Sequence, residues 1–212
     1  MTIVIFTNGD YRDEEFYKGI LKRADLIICA DGGGDYLYKW GIRPDLLIGD
    51  MDSISKEALE SFKGSGVEVK LFPSDKDYTD THLALIEALR YAPSEVLILG
   101  GIGTRLDHII GNIHLLLFAL KRGVKAKLVN EFYEVQLISE GESLIEAWGE
   151  KVSLLPLTPE VKFSYSDGLK WPLLNLSLTF EHPIGISNEP LSPIFKIKVE
   201  EGIAILFQVR EV

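Results

Sequence analysis

The chain has 212 residues, of which 46% are hydrophobic and 25% are charged, and its formal net charge is -10. This composition is typical of a globular protein with one large domain or two modest ones. The negative net charge disfavours nucleic acid as a partner, because phosphate binding needs Lys and Arg. A small phosphorylated ligand could still bind, because a bound divalent metal makes the local charge positive. The chain shows no signal peptide and no membrane-spanning run, and Cys29 is its only cysteine. We therefore expect a cytoplasmic protein without a disulfide.

The chain up to about residue 130 alternates short apolar runs with segments of helical spacing. The apolar runs, which predict strands, read TIVIF, LIICA, LLIG, VEVKLF, EVLILG and AKLVN. The segments between them, which predict helices, read DEEFYKGILKR, DYLYKW, SKEALESFK, DTHLALIEALRYA and RLDHIIGNIHLLLFALKRG. Alternating strands and helices predict an α/β fold, a Rossmann-like parallel sheet covered by helices on both faces.

The pattern changes after about residue 139, where strand-like runs are separated by Gly, Pro, Asp and Asn. No convincing helical spacing occurs there, so we predict a small antiparallel β-sandwich. The predicted domains are residues 1–139, an α/β domain, and residues 140–212, a β-sandwich. The segment VEEG at residues 199–202 lies between two strand-like runs and predicts a hairpin turn.

Gly and Asp follow five consecutive predicted strands of the first domain. The five segments are TNG at residues 7–9, DGGG at 31–34, GDMDS at 49–53, PSDKDYTD at 73–80 and GGIGTRLDH at 100–108. In an open α/β sheet, ligands bind at the carboxyl ends of the strands. One polar strand end is common, whereas five at one edge of a sheet indicate a binding site.

Aspartates in two of these segments indicate a divalent cation. Asp50 and Asp52 are two residues apart, so in extended backbone both carboxylates point the same way, as Mg²⁺ coordination requires. Asp75, Asp77 and Asp80 crowd like charges into six positions of DKDYTDTHLAL, which is tolerable if they are solvated or if a cation neutralises them. The alternative for both segments is an ordinary turn or helix cap.

Two other strand ends suit phosphate. Asp31 precedes three glycines, beginning with Gly32, whose backbone N–H groups could cradle a nucleotide. The GGIGTR turn exposes N–H groups at a helix N-terminus, and Arg105 can clamp phosphate. A surface pair between Arg105 and Asp107 is the alternative. Neither the P-loop pattern nor the dinucleotide fingerprint is present, which argues against a dinucleotide-dependent oxidoreductase.

Four of these segments together resemble the ordered motif set of the thiamin pyrophosphokinases. They are ADGGGDYL, PDLLIGDMDS, DKDYTDTHLAL and GGIGTRLDHIIGNIHLL, and the weaker segments DGLKWPL and GISNEP resemble motifs of that family's second domain. The resemblance implies that residues 1–139 are an α/β nucleotide-binding catalytic domain and residues 140–212 a thiamin-binding β-sandwich, in a homodimer with thiamin bound between subunits. It also implies Mg²⁺-dependent transfer of the terminal pyrophosphoryl group of ATP to the thiamin hydroxyl, giving thiamin diphosphate and AMP.

The resemblance also implies which residues form the site. The expected metal ligands are Asp50, Asp52 and Asp80, and the expected catalytic set is these three with Arg105 and Asp107. The expected contacts to ATP are Asp31, Gly32, Lys76, Thr79 and Arg105, and those to thiamin are Ser187, Asn188 and Trp171. Asp80 and Asp107 are both candidates for the general base. The thiazolium ring of thiamin is cationic, so an aromatic partner such as Trp171 suits it, although Trp171 could instead belong to the β-domain core.

Two other functions remain open at this point. A pyrophosphokinase acting on another heterocyclic alcohol, such as a pterin, could share the first-domain motifs; the SN pair and the β-domain favour thiamin. A catalytically silent regulator that binds a nucleotide or thiamin is the other alternative. The full carboxylate set argues against such a regulator, because binding alone does not need this cluster of cation ligands.

Overall fold

The structure, a computed structural model, describes residues 1–211 and divides into two compact units. Unit 1 is Met1–Glu131, and unit 2 begins at Phe132. The boundary predicted between residues 139 and 140 falls inside a strand that runs from Tyr133 to Glu146. Because that strand is one continuous element, the change in sequence pattern marks its middle and not the point at which unit 2 begins.

Unit 1 is a parallel sheet interleaved with helices. Its strands are β1 Thr2–Phe6, β2 Leu26–Ala30, β3 Leu46–Gly49, β4 Glu68–Leu71, β5 Glu95–Leu99 and β6 Lys125–Val129. Its helices are α1 Glu14–Leu21, α2 Gly34–Lys39, α3 Lys56–Gly64, α4 Asp80–Leu89 and α5 Leu106–Leu120, with a 3-10 turn at Asp31–Gly33. The strand order is β6-β5-β1-β2-β3-β4 with every pair parallel, which confirms the predicted sheet. No helix within residues 1–211 is long and apolar enough to cross a lipid bilayer.

The inner strands of unit 1 are continuously apolar because both of their faces are buried. An aromatic cluster lies beneath the loop that follows β1. In this cluster the Tyr11 ring stacks on Phe6 with centroids 4.4 Å apart, and the Tyr11 hydroxyl donates to the Thr7 carbonyl at 2.5 Å. Cys29 lies in the same core, where burial, with Asp31 and Asp35 nearby, raises the pKa of its thiol. It is therefore a structural thiol, as its apolar sequence context predicts.

Unit 2 is antiparallel. Its strands are β7 Tyr133–Glu146, β8 Lys151–Pro156, β9 Glu160–Asp167, β10 Leu176–Thr179 and β11 Ile194–Val209. The order is β10-β9-β11-β7, and β8 also pairs with β11. Alternating buried positions on these strands, including Val161, Phe163, Phe195 and Ile197, form its hydrophobic core. The predicted antiparallel second domain is thus confirmed.

The predicted hairpin at residues 199–202 is wrong. β11 continues through this segment, and its two halves pair with the same strand, β7, at Val199 with Gly141 and at Ile203 with Ser139. The chain advances four residues on β11 but only two on β7, which makes the segment a bulge. Gly202 has a φ of +88°, a backbone conformation that glycine adopts readily. Glycine suits a turn for the same reason, but in this strand it permits the bulge. The bulge falls where β11 exchanges β9 for β8 as a neighbour.

Candidate active site

A cleft of about 680 Å³ lies in unit 1 and is lined by residues that follow the ends of its strands. We call it the strand-end cleft; its lining includes Thr7, Asn8, Gly9, Asp31, Gly32, Asp50, Asp52, Ser53, Ser74, Lys76, Thr79, Asp80, Gly100, Gly101 and Arg105. The five segments that follow β1 to β5 therefore share one cleft. This proximity follows from the topology, because the strands are parallel and their carboxyl ends lie at one edge.

Glycines allow the loops at this edge to approach one another closely. A Cβ on Gly9 would lie 2.5 Å from the carbonyl oxygen of Gly100, and a Cβ on Gly33 would lie 2.8 Å from the carbonyl oxygens of Phe6 and Thr7. Real side chains do not tolerate such distances. The glycines thus bring the ends of β1, β2 and β5 together and shape the floor of the strand-end cleft.

Three aspartates form a compact group in the cleft. Asp31, Asp50 and Asp52 each place a carboxylate oxygen within 4.8 Å of the other two. Asp31 is only 6% exposed, and its Oδ1 accepts no hydrogen bond from any described residue. Burial raises the pKa of Asp31, and the nearby charges of Asp80, Asp50 and Asp52 raise it further, although the Ser53 hydroxyl acts in the opposite direction. This set of oxygens suits a hard divalent cation.

Lys76 forms ion pairs with two aspartates of the cleft, Asp50 and Asp80. The Lys76 Nζ lies 3.6 Å from Asp50 Oδ2 and 3.0 Å from Asp80 Oδ1. Burial acts to raise the pKa of Asp50, but hydrogen bonds from Ser74 and from the Asp52 backbone, with the charge of Lys76, lower it overall. Burial likewise opposes the charged form of Lys76, and Asp80 and Asp50 outweigh it, so the pKa of Lys76 is raised.

Thr79 and Asp80 begin helix α4. The Thr79 Oγ1 accepts a hydrogen bond from the His82 backbone at 3.2 Å, so Thr79 is the N-cap of the helix. The Asp80 Oδ1 is buried at ion-pair distance from Lys76 but receives no hydrogen bond of normal geometry from the described residues. The compact group of carboxylates thus contains Asp31, while Asp80, which the sequence prediction places among the metal ligands, lies against Lys76.

Arg105 and Asp107 pair with each other at the surface. The Arg105 guanidinium donates to Asp107 Oδ2 at 2.6 Å, and both side chains are about two-thirds exposed. Hydrogen bonding from Arg105 lowers the pKa of Asp107. Arg105 lines the strand-end cleft, whereas Asp107 is not among the described lining residues. The surface pair left open by the sequence is therefore present, and it uses Nε and Nη2 of Arg105.

Several lining residues escaped the sequence prediction. Ser53 Oγ donates to Asp52 Oδ1 at 2.9 Å, and Asn112 Nδ2 donates to the Gly101 carbonyl at 2.8 Å. His108 and Asn112 both line the cleft and are four residues apart on α5, so they share a helix face. That spacing was visible in the sequence, but which face of α5 meets the cleft depends on tertiary packing.

The residues expected to contact thiamin lie in unit 2. Asn188 is buried, and its side chain holds the backbone of Trp171 by accepting from Trp171 N at 3.1 Å and donating to Trp171 O at 2.7 Å. Trp171 itself is 52% exposed, so the alternative that it belongs to the core is wrong. Lys170 Nζ lies 4.7 Å from the centroid of the Trp171 ring. Ser187 is exposed, and its backbone N–H donates to Ser153 Oγ at 3.0 Å.

Fold and cleft together define an α/β protein with a carboxylate-rich site at the carboxyl edge of a parallel sheet, followed by an antiparallel unit. Residues 17–128 match the family model described as the catalytic domain of thiamin pyrophosphokinase. Residues 137–204 match the model of its vitamin B1 binding domain. The chain therefore belongs to the thiamin pyrophosphokinase family, as its motifs predict.

Individual relatives agree with this assignment over almost the full chain. A thiamine pyrophosphokinase of Bacillus subtilis (strain 168) is 31% identical over 209 residues, which cover 98% of each chain. A crystal structure of the Bacillus subtilis enzyme superposes with a TM-score of 0.88 at 29% identity, covering 100% of both chains. A thiamin pyrophosphokinase structure from Geobacillus thermodenitrificans gives a TM-score of 0.85 at 27% identity and covers 100% of this chain and 98% of that chain.

Proposed function

We propose that the protein transfers the terminal pyrophosphoryl group of ATP to the hydroxyl of thiamin, giving thiamin diphosphate and AMP. The observation that carries this proposal is the carboxylate-rich strand-end cleft in a member of the thiamin pyrophosphokinase family. In the reaction, the thiamin hydroxyl oxygen bonds to the β-phosphorus of ATP while the bond between the α,β-bridging oxygen and that phosphorus breaks. The hydroxyl proton passes to a base, and AMP leaves.

The charge of the cleft requires a cation before ATP can bind. Asp31, Asp50 and Asp52 would repel a triphosphate, and their oxygens are close enough to hold one ion together. Asp80, from the predicted metal set, lies beside them. A divalent cation, which we propose to be Mg²⁺, would supply the positive charge that binds the phosphates and stabilises charge developing during transfer.

Other residues of the cleft position the reactants. Lys76 and Arg105 are the cations that can contact phosphate oxygens, and Gly32 allows close approach of the backbone to the nucleotide. The Thr79 cap fixes the start of α4 and therefore the position of Asp80. We propose Asp80 as the group that accepts the thiamin hydroxyl proton. It is a cleft residue, whereas Asp107 is exposed and paired with Arg105.

We place thiamin recognition in unit 2, with Trp171 as its aromatic partner. The exposed Trp171 ring already accepts the ammonium of Lys170 on its face, so it is suited to a cationic thiazolium. Asn188 would hold Trp171 in place, and Ser187 is exposed beside it for a polar contact. The functional domains proposed from the sequence, 1–139 for ATP and 140–212 for thiamin, remain part of this proposal.

We further propose that the protein is a homodimer with its thiamin site at the subunit interface. Unit 2 exposes seven large apolar side chains within one stretch of chain, residues 171–194, and apolar surface of this kind favours an interface. They are Trp171, Leu174, Phe180, Ile184, Ile186, Leu191 and Ile194. We retain the cytoplasm as the proposed compartment, because the single buried cysteine permits no stabilising intramolecular disulfide.

The deciding experiment incubates the purified protein with ATP, MgCl₂ and thiamin and separates the products by chromatography. Equal amounts of AMP and thiamin diphosphate are expected. Asp50→Asn should lower the rate at least about 100-fold, because it removes a charge that holds the metal–phosphate complex. Asp77→Asn is the matched control, since Asp77 is an exposed aspartate outside the described lining of the cleft and should leave the rate unchanged.

Three outcomes would contradict the proposal. ADP with thiamin monophosphate would keep the site but exclude pyrophosphoryl transfer. AMP formation that depends on a pterin alcohol and not on thiamin would favour the alternative acceptor. The absence of any acceptor-dependent product, with intact nucleotide binding, would favour the regulator.

A further inference from the structure

The segment between β1 and α1, residues 7–13, contributes part of the lining of the strand-end cleft, and Glu131 holds its far end. We call this segment the β1–α1 loop. We infer that Glu131 is a positioning residue for ATP, because its carboxylate fixes the β1–α1 loop where the nucleotide binds. Glu131 is outside the described lining of the cleft, so it acts through the loop. The inference rests on the proposed function and deepens it.

The topology of the sheet places the β1–α1 loop beside the nucleotide. Strands β1 to β4 follow one another across the sheet, and β5 then lies on the other side of β1. In open α/β sheets, ligands bind in the crevice at such a reversal of strand order, here between the loops that follow β1 and β5. Thr7, Asn8, Gly9 and Asp10 line the cleft at this crevice. The shape of the loop therefore bears directly on nucleotide binding.

Glu131 is the last residue of unit 1 and follows the end of β6. Its Oε1 accepts hydrogen bonds from the backbone N–H groups of Arg12 at 2.7 Å and Asp13 at 3.0 Å. Its Oε2 accepts a hydrogen bond from the Tyr17 hydroxyl at 2.7 Å. One carboxylate thus holds both the end of the β1–α1 loop and the first turn of α1.

The beginning of the β1–α1 loop is fixed by Thr7 and Tyr11. The Thr7 hydroxyl donates to the Leu99 carbonyl at 3.0 Å, and the Tyr11 hydroxyl donates to the Thr7 carbonyl at 2.5 Å. The Tyr11 ring also packs edge-on against Tyr17, with ring centroids 4.7 Å apart. Residues 8–10 therefore span a short distance between two anchors, which leaves them few conformations to lose when a ligand binds.

The Glu131 carboxylate is held in its charged form. Burial acts to raise the pKa of Glu131, but hydrogen bonds from the Tyr17 hydroxyl and from backbone N–H groups, including those of Asp13 and Arg12, lower it overall. Hydrogen bonds to a charged acceptor are stronger than those between neutral groups. Removal of the carboxylate would leave two backbone N–H groups without this acceptor and release the far end of the loop.

The alternative is that Glu131 only stabilises the start of α1. In that case, its removal would lower the melting temperature without changing the affinity of the folded protein for ATP. The two possibilities separate when nucleotide affinity and stability are measured on the same variants.

The test is titration calorimetry in MgCl₂ with an ATP analogue that carries a methylene group in place of the α,β-bridging oxygen and so cannot transfer pyrophosphate. Glu131→Leu should weaken binding of the analogue about 10-fold, because the loop must then be ordered at the expense of binding energy. Glu131→Gln should stay within about 3-fold of the wild type, since its Oε1 can accept both N–H groups and its Nε2 can donate to the Tyr17 oxygen.

Steady-state kinetics of the thiamin reaction give a second readout. Glu131→Leu should raise the KM for ATP by about the same factor of 10, while kcat and the KM for thiamin change less than about 2-fold. This separation is expected because Glu131 lies outside the described lining of the cleft and contacts no reacting atom. A loss of folded protein alone would lower the apparent kcat and leave the KM for ATP unchanged.

Asp45→Ala is the matched control. Asp45 Oδ2 also accepts a backbone hydrogen bond, from Ile27 N at 2.8 Å, but at the beginning of β2, away from the carboxyl ends of the strands. Asp45→Ala should lower the melting temperature and leave the affinity for the analogue unchanged. Circular dichroism melting curves establish that each variant is folded.

Hydrogen exchange of the wild type tests the anchor without any substitution, so the test stands even if Glu131→Leu does not fold. The amides of Arg12 and Asp13 should exchange about 100-fold or more slowly than in an unstructured peptide, before any nucleotide is added. Saturation with the analogue should leave these two rates nearly unchanged, because the loop is already held.

Four results would overturn the inference. They are unchanged affinity for the analogue in folded Glu131→Leu, a loss in Asp45→Ala as large as that in Glu131→Leu, unprotected amides at Arg12 and Asp13, and no binding of the analogue by the wild type. Failure of the thiamin assay with the expected pattern of analogue binding would reject the proposed function and leave the role of Glu131 in nucleotide binding standing.

Discussion

Asp31 shows how a single residue reflects the chemistry of the whole site. Its carboxylate is buried beside Asp50, Asp52 and Asp80, and one of its oxygens accepts no hydrogen bond from the described part of the chain. Its backbone has a positive φ of 38°, an unusual conformation for a residue other than glycine. A strained backbone and a buried carboxylate oxygen without a hydrogen bond are characteristic of residues that bind ligands.

We predict that Asp31→Asn stabilises the metal-free protein at pH 7, raising the melting temperature by about 2 to 4 °C. The pKa of Asp31 is raised in the folded state, mainly by burial, so ionisation of this carboxyl disfavours folding. The wild type therefore loses stability as the pH rises through this pKa, and the advantage of the variant should shrink on acidification to about pH 3. Calorimetry in EDTA across this pH range measures the difference.

The same comparison in the presence of Mg²⁺ sharpens the prediction. A cation that binds the folded wild type stabilises it by mass action, so the advantage of Asp31→Asn should diminish or reverse. Asp77→Asn, at an exposed position, should behave like the wild type in both conditions. A variant no more stable than wild type at pH 7 in EDTA, or a gain that is larger in acid, would contradict this account.

At the scale of elements, the cleft depends on how closely the loops at the sheet edge pack. The segment after β2 begins with a 3-10 turn and enters α2 directly, and Gly33 of this segment lies against the backbone at the end of β1. Because the neighbouring atoms are backbone carbonyls, they cannot rotate away from an added methyl group. The loop geometry is therefore sensitive to single carbon atoms.

We predict that Gly33→Ala destabilises the protein by about 1 to 3 kcal/mol, because its Cβ would lie 2.8 Å from the carbonyl oxygens of Phe6 and Thr7. Gly19→Ala is the control, since a Cβ at this position in α1 meets no described atom within 4 Å. Alanine should stabilise that helix by about 0.5 to 1 kcal/mol. Urea denaturation measures both free energies, and equal stability of the two variants would contradict the packing argument.

At the scale of the whole molecule, the proposed homodimer accounts for the exposed apolar side chains of unit 2. The exposed apolar side chains of residues 171–194 begin with Trp171, and the same stretch of chain contains the residues proposed to recognise thiamin. Burial of these side chains against a second copy would remove their contact with water and contribute favourably to assembly. Assembly and thiamin binding are therefore expected to depend on the same segment.

We predict a solution mass of roughly twice the chain mass of 23.7 kDa. Phe180→Asp should shift the mass toward that of the single chain, because it places a charge in the proposed interface. Tyr91→Asp is the control, as Tyr91 is an exposed aromatic residue of unit 1. Light scattering after size exclusion measures the mass, and a wild-type mass of one chain would reject the dimer.

Local pattern alone was sufficient for the elements of unit 1 and for the family. Apolar runs such as TIVIF and LIICA coincide with β1 and β2, because a strand buried on both faces needs uninterrupted apolar residues. The polar residues after each strand could be grouped because parallel topology places all carboxyl ends at one edge. These features depend on neighbours in the chain, which a sequence displays directly.

Only the tertiary structure decided which side chains meet. It grouped Asp31 with Asp50 and Asp52 and brought Lys76 to Asp50, contacts between separate segments of the chain that no local pattern encodes. It also turned VEEG from a predicted hairpin into a bulge, because both halves of β11 pair with β7. The reason is the same in each case: the free energy of these arrangements comes from partners distant in the chain, and their identity is fixed only when the sheets assemble.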